Sequence, residues 1–513
     1  MKGREGQGRA LAVSEPYYIT TAISYPNGPP HIGHAYEAIA ADVIARFQRS
    51  QGRDVRFQTG TDEHGLKMAQ AARTAGVEPQ AFADKMSSLF QRMCDGLEVS
   101  YDRFIRTSDP AHHRASQAIW TAMAERGDLY LGRYEGWYSV RDEAYYDESE
   151  LVGGEGEEKL SPQGTPVEWT VEESWFFRLS AYQEKLLVHY QANPDFIRPE
   201  SRRNEILRFV EGGLSDLSIS RTSFDWGVKS PGSEGHVMYV WLDALTNYIT
   251  GLGYPDDTEL WRRYWPADLH LIGKDVVRFH TVYWPAFLMS AGLELPKQVY
   301  GHGFLLSRGE KMSKSIGNVV DPFVLADHFG VDQLRYFLMR EVTFGQDGSY
   351  SPEAIVNRVN AELANSFGNL AQRTLSMIHK NLGGVIPAAG QDDSDVLLLE
   401  KVDSAIGELN SRFQDFAFSS GLEAWMAAVF ACNAYIDAAA PWALRKSDPE
   451  RMADVLGTLV VAIRKLAEAV IPIIPASAEK LIRVIDDGMC GGLGQPVPIF
   501  PRLELAEEAG EAA

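Results

Sequence analysis

The chain has 513 residues, of which 45% are hydrophobic and 23% charged, a balance typical of globular proteins that are long enough for several domains. No apolar run approaches the roughly 18 residues that a membrane-spanning helix needs, the first residues lack a signal-peptide core, and three scattered cysteines exclude a disulfide framework. The net charge of −21 argues against a general nucleic-acid binder, although a local basic groove for RNA stays open. We therefore expect a cytoplasmic protein.

Strand and helix patterns alternate in the first part of the chain. Residues 17–25 (YYITTAISY) and 54–65 (DVRFQTGTDEHG) predict two strands, and a helix that begins near Gly33 separates them. Strand, helix and strand in this order predict a βαβ unit of a parallel sheet. After a largely helical stretch, strand-like segments return at 236–241, 268–272 and 298–306. This order predicts an α/β domain interrupted by an insertion.

The pattern becomes helical from Ser351 onward. Ser351 suits an N-cap, and Pro352 suits the first position of a helix. Apolar residues then recur close to helical spacing, at Ile355, Val359, Leu363, Phe367 and Leu370. Similar patterns continue to about residue 485, which predicts a C-terminal helical bundle.

Two histidines stand where a Pro/Gly loop turns into the first helix. The stretch 26–46, PNGPPHIGHAYEAIAADVIAR, contains His31 and His34, and Gly33 between them would let a ligand lie close to the backbone. The N-terminus of a helix is an anion site, and two imidazoles there can donate ring N–H groups to phosphate oxygens. The alternative is a surface or metal-binding pair of histidines.

A second motif carries lysines in a glycine-flanked loop. The stretch RGEKMSKSIGN (308–318) places Lys311 and Lys314 after the last predicted strand. Flexible lysines in such a loop can follow a moving pyrophosphate while the loop closes over it. Taken alone, the motif also fits an ordinary solvated loop.

Two literal strings, HIGH at 31–34 and KMSKS at 311–315, resemble the signatures of class I aminoacyl-tRNA synthetases. The flanking text resembles the methionyl-tRNA synthetase family more closely. This text consists of TTAISYPNGPPHIGHAYE, TGTDEHG, YVWLDALTNY, IGKDVVRFH and GEKMSKSIGN. The resemblance runs in order from about residue 17 to residue 480, nearly the whole chain.

The resemblance implies an α/β fold, with a Rossmann-type parallel-sheet catalytic domain split by an insertion and followed by an all-α helical bundle. The implied parts are a flexible leader (1–15), the first catalytic half (16–116), a connective-peptide insertion (117–230), the second catalytic half (231–305), the KMSKS loop with a stem-contact region (306–365), and a helical anticodon-binding domain with an acidic tail (366–513). The patterns read from the residues agree with this arrangement.

The resemblance also implies the reaction. The carboxylate of L-methionine would attack the α-phosphate of Mg-ATP, and the resulting methionyl-adenylate would acylate tRNA(Met) for translation initiation and elongation. His31 and His34 would stabilise the phosphate charge, Gly33 would admit the adenine, and Lys311 and Lys314 would hold the β- and γ-phosphates. Alignment and electrostatic stabilisation suffice for this chemistry, without a covalent enzyme intermediate.

Further substrate contacts follow from the same resemblance. Gly273 and Asp275 match positions around the nucleotide, and Asp62 would bind the ammonium group of the amino acid. The side chain would be selected by a pocket lined by Ala22, Ile23, Tyr25, Trp241, Ala244, Leu245, Tyr248, Val276 and His280. A thioether pairs well with aromatic rings such as those of Tyr25 and Trp241. Without the family, Trp241 and Tyr248 read as core residues.

Four residues near the C-terminus match the positions that read the CAU anticodon in the family. They are Asn369, Arg373, Pro441 and Trp442. Asn369 and Arg373 are four residues apart and share a helix face, while Pro441 would end one helix and present Trp442 at the start of another. Splayed bases stack on aromatic side chains in such sites. The alternative is a core tryptophan beside two solvated polar residues.

The insertion departs from a common pattern of the family. Many members bind a structural zinc through cysteine pairs, but here Ser139, Asp142, Ser161 and Gly164 stand at the matching positions, and the insertion has no cysteine. Because a zinc knuckle needs thiolate or imidazole ligands, we expect no structural zinc. We expect aromatic packing among Tyr138, Tyr145, Tyr146 and Trp169 to hold this region instead.

Two other classes of protein remain open at this stage. One is a different class I synthetase or adenylyl transferase, although the interval 117–230 is short for an editing insertion. The other is a non-enzymatic RNA-binding relative, which would be expected to have eroded HIGH or KMSKS motifs. The acceptor end and anticodon of tRNA(Met) are the expected macromolecular partners, and we expect a monomer.

Overall fold

The computed structural model describes residues 14–142, 144–153, 158–309 and 320–505. The elements up to residue 128 are β1 (Pro16–Thr21), α1 (Ile32–Ser50), β2 (Asp54–Thr61), α2 (Leu66–Ala75), α3 (Pro79–Gly96), β3 (Arg103–Arg106) and α4 (Pro110–Glu125). Those of residues 129–238 are β4 (Leu129–Ser139), β5 (Ala144–Tyr146), β6 (Val152–Gly153), β7 (Lys159–Leu160), β8 (Glu168–Phe177), α5 (Gln183–Ala192), β9 (Ile197–Arg198), α6 (Glu200–Glu211), β10 (Leu217–Ser218), β11 (Ser220–Arg221) and β12 (Val237–Met238).

The remaining elements return to α/β structure and then become helical. They are α7 (Val240–Leu245), α8 (Asn247–Thr250), α9 (Glu259–Tyr264), β13 (Leu269–Gly273), α10 (Trp284–Ala291), β14 (Val299–His302), β15 (Leu305–Ser307), α11 (Pro322–Phe329), α12 (Val331–Glu341), β16 (Gly348–Tyr350) and α13 (Pro352–Arg358). After residue 368 follow α14 (Asn369–Asn381), α15 (Asp393–Gln414), α16 (Phe418–Ala439), α17 (Pro441–Ser447), α18 (Pro449–Ala469) and α19 (Pro475–Gly491). None of the helices so described is long and apolar enough to cross a membrane.

The main sheet is parallel and has the strand order β3-β2-β1-β13-β14-β9. At its centre Ile19 of β1 lies opposite Phe57 on one side and Leu269 on the other, and all three side chains are buried. A strand buried on both faces reads as a continuous run of apolar and β-branched residues, as YYIT does here. The predicted βαβ unit and parallel sheet are confirmed.

The segment between the two halves of the sheet forms a sheet of its own. Strands β4 and β8 pair antiparallel from Leu129–Phe177 to Tyr138–Glu168, with β10 and β5 on either side. The short strand β9 lies inside the interval 117–230 but extends the main parallel sheet beside β14. The chain therefore returns to the main sheet before the predicted end of the insertion, while the boundaries themselves stay predictions.

A buried ion pair joins the sheet region to the C-terminal helices. Asp42 on α1 accepts a hydrogen bond of 2.6 Å from Arg335 on α12, and both side chains are fully buried. Arg335 also donates to the main-chain carbonyls of Leu97, Pro472 and Ile473. Burial alone would raise the pKa of Asp42, but the guanidinium of Arg335 and its neighbours hold that pKa below the usual value. Removing one member of such a pair typically costs about 3–5 kcal/mol.

Two strand predictions need correction. Within the predicted strand 236–241, the strand β12 covers Val237–Met238, and Val240 begins a helix. The predicted strand 298–306 is two strands, because β14 belongs to the main sheet while β15 pairs with β16. At the break, a side chain on Gly303 would collide with the main chain of Gln346, at 2.2 Å. The helical region after Ser351 is as predicted, with the Ser351 hydroxyl accepting from the Ala354 N–H.

Candidate active site

A cavity of about 360 Å³ opens at the carboxyl edge of the main sheet. The residues that follow β1 and β2 meet there with α7, α8 and the segment after β13, as expected for parallel strands that end at one edge. The cavity contains all ten residues of the predicted amino-acid pocket. They are Ala22, Ile23, Tyr25, Asp62, Trp241, Ala244, Leu245, Tyr248, Val276 and His280.

The floor of the cavity is a hydrogen-bonded pair of uncharged side chains. The Nδ1 of His280 lies 2.9 Å from the Val276 carbonyl oxygen, which can only accept, so Nδ1 carries the proton. The Tyr248 hydroxyl therefore donates to Nε2 of His280, at 2.6 Å. Burial lowers the pKa of His280 to about 4, and burial also raises the pKa of Tyr248 well above its usual value. Both groups are neutral near pH 7.

Aromatic rings form the wall of the cavity. The Trp241 indole stacks on Phe279 with ring centroids 3.7 Å apart and planes 7° from parallel. Tyr25 is held by its hydroxyl, which donates to the His64 carbonyl at 2.7 Å. Phe279 also lines the cavity, and sequence reasoning did not find it although it lies inside the IGKDVVRFH segment. The wall suits an unbranched, polarisable side chain.

Asp62 is the buried carboxylate of the cavity. It directly follows β2, is 7% exposed, and its main-chain N–H donates to the Ser24 carbonyl at 2.8 Å. This bond ties the end of β2 to the segment that follows β1. A carboxylate at a pocket edge suits a cationic group of a ligand.

The two histidines of HIGH cap the first helix. His31 is the N-cap of α1 and its Nδ1 accepts from the Gly33 N–H at 3.1 Å, while Nδ1 of His34 accepts from the His31 N–H at 3.1 Å. Since both Nδ1 atoms accept, each neutral ring carries its proton on Nε2. The ring centroids are 3.8 Å apart. A side chain on Gly33 would meet the His31 ring at 2.9 Å, so this close arrangement requires glycine.

The predicted nucleotide positions lie beside this helix, at the end of β13. Gly273 is the last residue of β13, where a side chain would meet the Asp275 carboxylate at 2.7 Å. Asp275 is exposed and lines the same cavity. The predicted lysines Lys311 and Lys314 lie outside the described residues. The chain next to them is tied to the HIGH helix, because the Ile32 N–H donates to the Val320 carbonyl at 3.0 Å.

The insertion contributes to the cavity, which sequence reasoning missed. Arg141, Asp142 and Gln163 line it from the insertion, and Lys67 does so from α2. No local pattern marks these four residues, since they come from two separate loops and a helix surface. The cavity is therefore formed jointly by the main sheet and the insertion.

A hydroxyl network occupies the region of the insertion where the family resemblance placed the positions of zinc ligands. Asp142 accepts from the hydroxyls of Ser161 at 2.7 Å, Thr165 at 2.5 Å and Tyr146 at 3.1 Å, and Ser139 contacts Thr165 at 2.8 Å. The expected aromatic packing is only part of the answer, because Tyr138 and Tyr146 are buried whereas Trp169 is 54% exposed. The side chain of Tyr145 lies outside the described residues. Thr165, not Gly164, completes the network.

The predicted anticodon residues lie together on the C-terminal helices. Trp442 at the start of α17 is 50% exposed, which contradicts the alternative of a core tryptophan. The Arg373 guanidinium lies 5.5 Å from the centre of its ring and donates to Asp437 at 2.8 Å. Asn369 is exposed at the start of the helix that carries Arg373, while Pro441 is buried and begins α17.

The chain is similar to known proteins over nearly its whole length. The family model described as tRNA synthetases class I (M) matches residues 17–159 and 155–375, and that described as the anticodon binding domain of methionyl tRNA ligase matches residues 386–489. Methionine–tRNA ligases of Brucella suis and Mycobacterium bovis are each 58% identical to this chain. Each alignment covers 96% of this chain, and they cover 99% of the Brucella protein and 98% of the Mycobacterium protein. The solved methionyl-tRNA synthetase of Mycobacterium tuberculosis in complex with methionyl-adenylate has a TM-score of 0.92 at 55% identity, covering 95% of this chain and all of that chain. The free form of the Mycobacterium tuberculosis protein has a TM-score of 0.85.

The neutral imidazole of His280 predicts a pH dependence of stability. The folded protein takes up this proton only near pH 4, whereas the unfolded chain takes it up near pH 6.5, so unfolding binds a proton in between. We expect the free energy of unfolding to fall as the pH is lowered from 6.5 to 4, with His280 contributing on the order of 3 kcal/mol. Denaturant titrations should show a flatter profile for His280→Gln, whereas His328→Gln, at an exposed histidine, should keep the original one. Equal slopes in both variants would contradict the assignment.

Proposed function

The chain belongs to the methionyl family of class I tRNA synthetases; it activates L-methionine as methionyl-adenylate and charges tRNA(Met), and we propose that its residues divide this work as follows. The amino acid lies in the cavity at the carboxyl edge of the sheet, with its ammonium group on Asp62. Its thioether lies between the rings of Tyr25 and Trp241, above the Tyr248–His280 pair. What supports this assignment is that one cavity gathers every residue of the predicted pocket.

A neutral pocket floor explains how an uncharged side chain is selected. Burying a thioether beside an ionised group would leave that group without solvent, so neutral His280 and Tyr248 are the suitable partners. The Asp62 contact is common to every amino acid and therefore gives no selectivity. Selectivity for methionine follows from the shape and polarizability of the aromatic wall, and an apolar pocket should accept a near-isostere such as norleucine weakly.

The phosphates of Mg-ATP lie at the start of the first helix in this proposal. The Nε2–H groups of His31 and His34, whose Nδ1 atoms are occupied by main-chain N–H groups, donate to the α-phosphate as its charge rises. Gly273 and Asp275 contact the nucleoside. Lys311 and Lys314 bind the β- and γ-phosphates, and pyrophosphate leaves as the methionine carboxylate attacks.

The acceptor end and the anticodon of tRNA(Met) bind different parts of the chain. The 3′ end must reach the cavity, and the anticodon lies on Asn369, Arg373 and Trp442, with the exposed indole stacking on a base. Pro441 starts the helix that presents the indole. We also propose that the protein works in the cytoplasm as a monomer.

The insertion is proposed to fold without zinc. The Asp142 carboxylate already accepts three hydroxyl hydrogen bonds, and the part of the chain that the structure describes contains no group of three or more His, Cys, Asp or Glu residues placed to hold a metal ion. Zinc knuckles of this type use thiolate or imidazole ligands, which serine and threonine do not supply.

The chemistry is tested by amino-acid-dependent ATP–pyrophosphate exchange. Exchange should require methionine, and His34→Ala or Lys314→Ala should lower its rate by about a hundredfold or more, as expected for loss of a transition-state donor. Methionine affinity by calorimetry should stay near that of the unsubstituted protein. His328→Ala, which removes an exposed histidine elsewhere, serves as the control. Unchanged turnover in both site variants would remove the proposed mechanism, and exchange driven by another amino acid would remove the proposed substrate.

The tRNA contact is tested separately with Trp442→Ala. Stacking on a base is worth about 1–3 kcal/mol, so kcat/KM for tRNA should fall roughly 5- to 150-fold. Methionine-dependent exchange should stay unchanged, because activation precedes tRNA charging. Phe430→Ala removes another exposed aromatic ring of the helical region and should leave aminoacylation intact. A joint fall of exchange, melting temperature and aminoacylation in Trp442→Ala would assign the indole a structural role instead.

Elemental analysis tests the proposal for the insertion. The purified protein should contain no stoichiometric zinc, and a chelator should leave its melting temperature unchanged, because hydrogen bonds to Asp142 replace metal bonds. About one zinc per chain, lost together with stability on chelation, would show that the insertion is a metal site.

A further inference from the structure

Three buried polar side chains meet behind the amino-acid cavity without lining it. The two carboxylate oxygens of Asp243 on α7 contact Nδ1 of His64 at 2.6 Å and Nε2 of His112 at 2.7 Å. All three residues are at most 2% exposed. Asp243 is 179 positions from His64 and 131 positions from His112 in the chain, so the cluster exists only in the folded protein.

Hydrogen bonds connect His112 both to the Asp243 carboxylate and to helix α8. The Thr250 hydroxyl lies 3.0 Å from the Thr246 carbonyl and 3.0 Å from Nδ1 of His112. The Asp243 carboxylate can only accept, so Nε2 of His112 donates to it. Burial would raise the pKa of Asp243, but the imidazoles of His64 and His112 hold it well below its usual value. The cluster is a buried carboxylate that accepts hydrogen bonds from two imidazoles.

Two members of the cluster, Asp243 and His64, are connected to residues of the cavity. Asp243 lies between Trp241 and Ala244 on α7, and both of these line the cavity. The His64 carbonyl accepts the Tyr25 hydroxyl at 2.7 Å, so the main chain at His64 sets the position of that ring. These contacts connect the cluster to Trp241 and Tyr25, which both line the cavity.

The two residues that follow Asp62 are each held by hydrogen bonds to distant parts of the chain. Glu63 forms two hydrogen bonds with Arg106 on β3, at 2.7 and 2.9 Å, and the Glu63 carbonyl accepts from the Trp226 indole at 2.6 Å. On the other side, His64 is held by Asp243. Asp62 directly precedes these two residues, so their contacts restrain the main chain that carries its carboxylate.

We infer that Asp243, acting through His64 and His112, is a positioning residue for the amino-acid substrate. It locks α7, α4 and the segment after β2 into one frame, and this frame sets the distance between the ammonium contact at Asp62 and the aromatic wall at Trp241. The inference rests on the proposed function, because it assigns a role in the same cavity. Side chains held in fixed rotamers by a surrounding shell of hydrogen bonds bind their ligand without an ordering cost.

A purely structural role of the cluster would have different consequences. Loss of a core ion pair lowers the melting temperature and leaves the substrate constants of the folded enzyme unchanged. Loss of a positioning residue raises KM for methionine selectively, because the ATP contacts at His31, His34 and Gly273 are not attached to the cluster.

The first test is Asp243→Asn, which keeps the shape of the side chain and removes its charge. In the exchange assay, run well below the melting temperature of each variant, KM for methionine should rise about tenfold while kcat and KM for ATP stay within about twofold. Tyr25→Phe should also raise KM for methionine, but add little in the Asp243→Asn background, since both act through the His64 carbonyl. Additive effects, or equal rises for methionine and ATP, would overturn the inference.

A matched pair at His64 keeps the inference testable if Asp243→Asn does not fold. His64→Asn retains a donor near the position of Nδ1 and should keep KM for methionine near that of the unsubstituted enzyme, whereas His64→Leu should raise it about tenfold. Asp42→Asn, at the buried carboxylate beside Arg335, should lower the melting temperature without changing KM for methionine. Equal KM values in the two His64 variants would overturn the inference. Absence of methionine-dependent exchange in the unsubstituted chain would instead overturn the proposed function.

Discussion

The site depends on the register of three neighbouring parallel strands. Ile19 of β1 lies opposite Phe57 of β2 and Leu269 of β13, so the chain leaves all three strands at one edge of the sheet. A slip of one residue in any pairing would turn every side chain of that strand to the other face. The residues after the strands, Asp62 among them, would then point away from the cavity. The proposed amino-acid pocket, the helix that carries HIGH and the proposed nucleotide positions thus share one geometric origin.

Burial of ionisable groups is handled in two ways, and each suits its place. Where we propose that the uncharged substrate side chain lies, the protein removes charge: burial lowers the pKa of His280 to about 4. Where elements must be held together, the protein keeps charge and pairs it, as in Asp42 with Arg335 and Asp243 with two imidazoles. A paired buried charge cannot move away without leaving its partner unsatisfied. Leaving a buried charge unpaired typically costs about 3–5 kcal/mol of stability. Such pairs therefore fix geometry even where an apolar core would be as stable.

Local patterns predicted the βαβ unit, the Ser351 cap and the helical bundle, because periodicity and capping are properties of short segments. The pocket residues were predicted from motif strings and the family resemblance, which carry positional information that periodicity lacks. The features that were not predicted depend on contacts between distant segments of the chain. They are the pairing of β9 with β14, the stacking of Phe279 on Trp241, and the insertion residues that line the cavity. No short stretch of sequence states which distant partner completes a hydrogen bond, so Asp243 read only as part of a motif.

The hydroxyl network of the insertion has a consequence for the cavity itself. A tetrahedral metal site fixes two loops through four strong bonds, whereas here one carboxylate oxygen of Asp142 gathers the hydroxyls of Ser161, Thr165 and Tyr146. Asp142 is at the same time a lining residue of the cavity, as is Gln163, whose main-chain N–H donates to the Ser161 hydroxyl at 3.2 Å. The bonds that hold the insertion loops together therefore also hold one wall of the cavity. A single carboxylate, that of Asp142, thus performs both tasks.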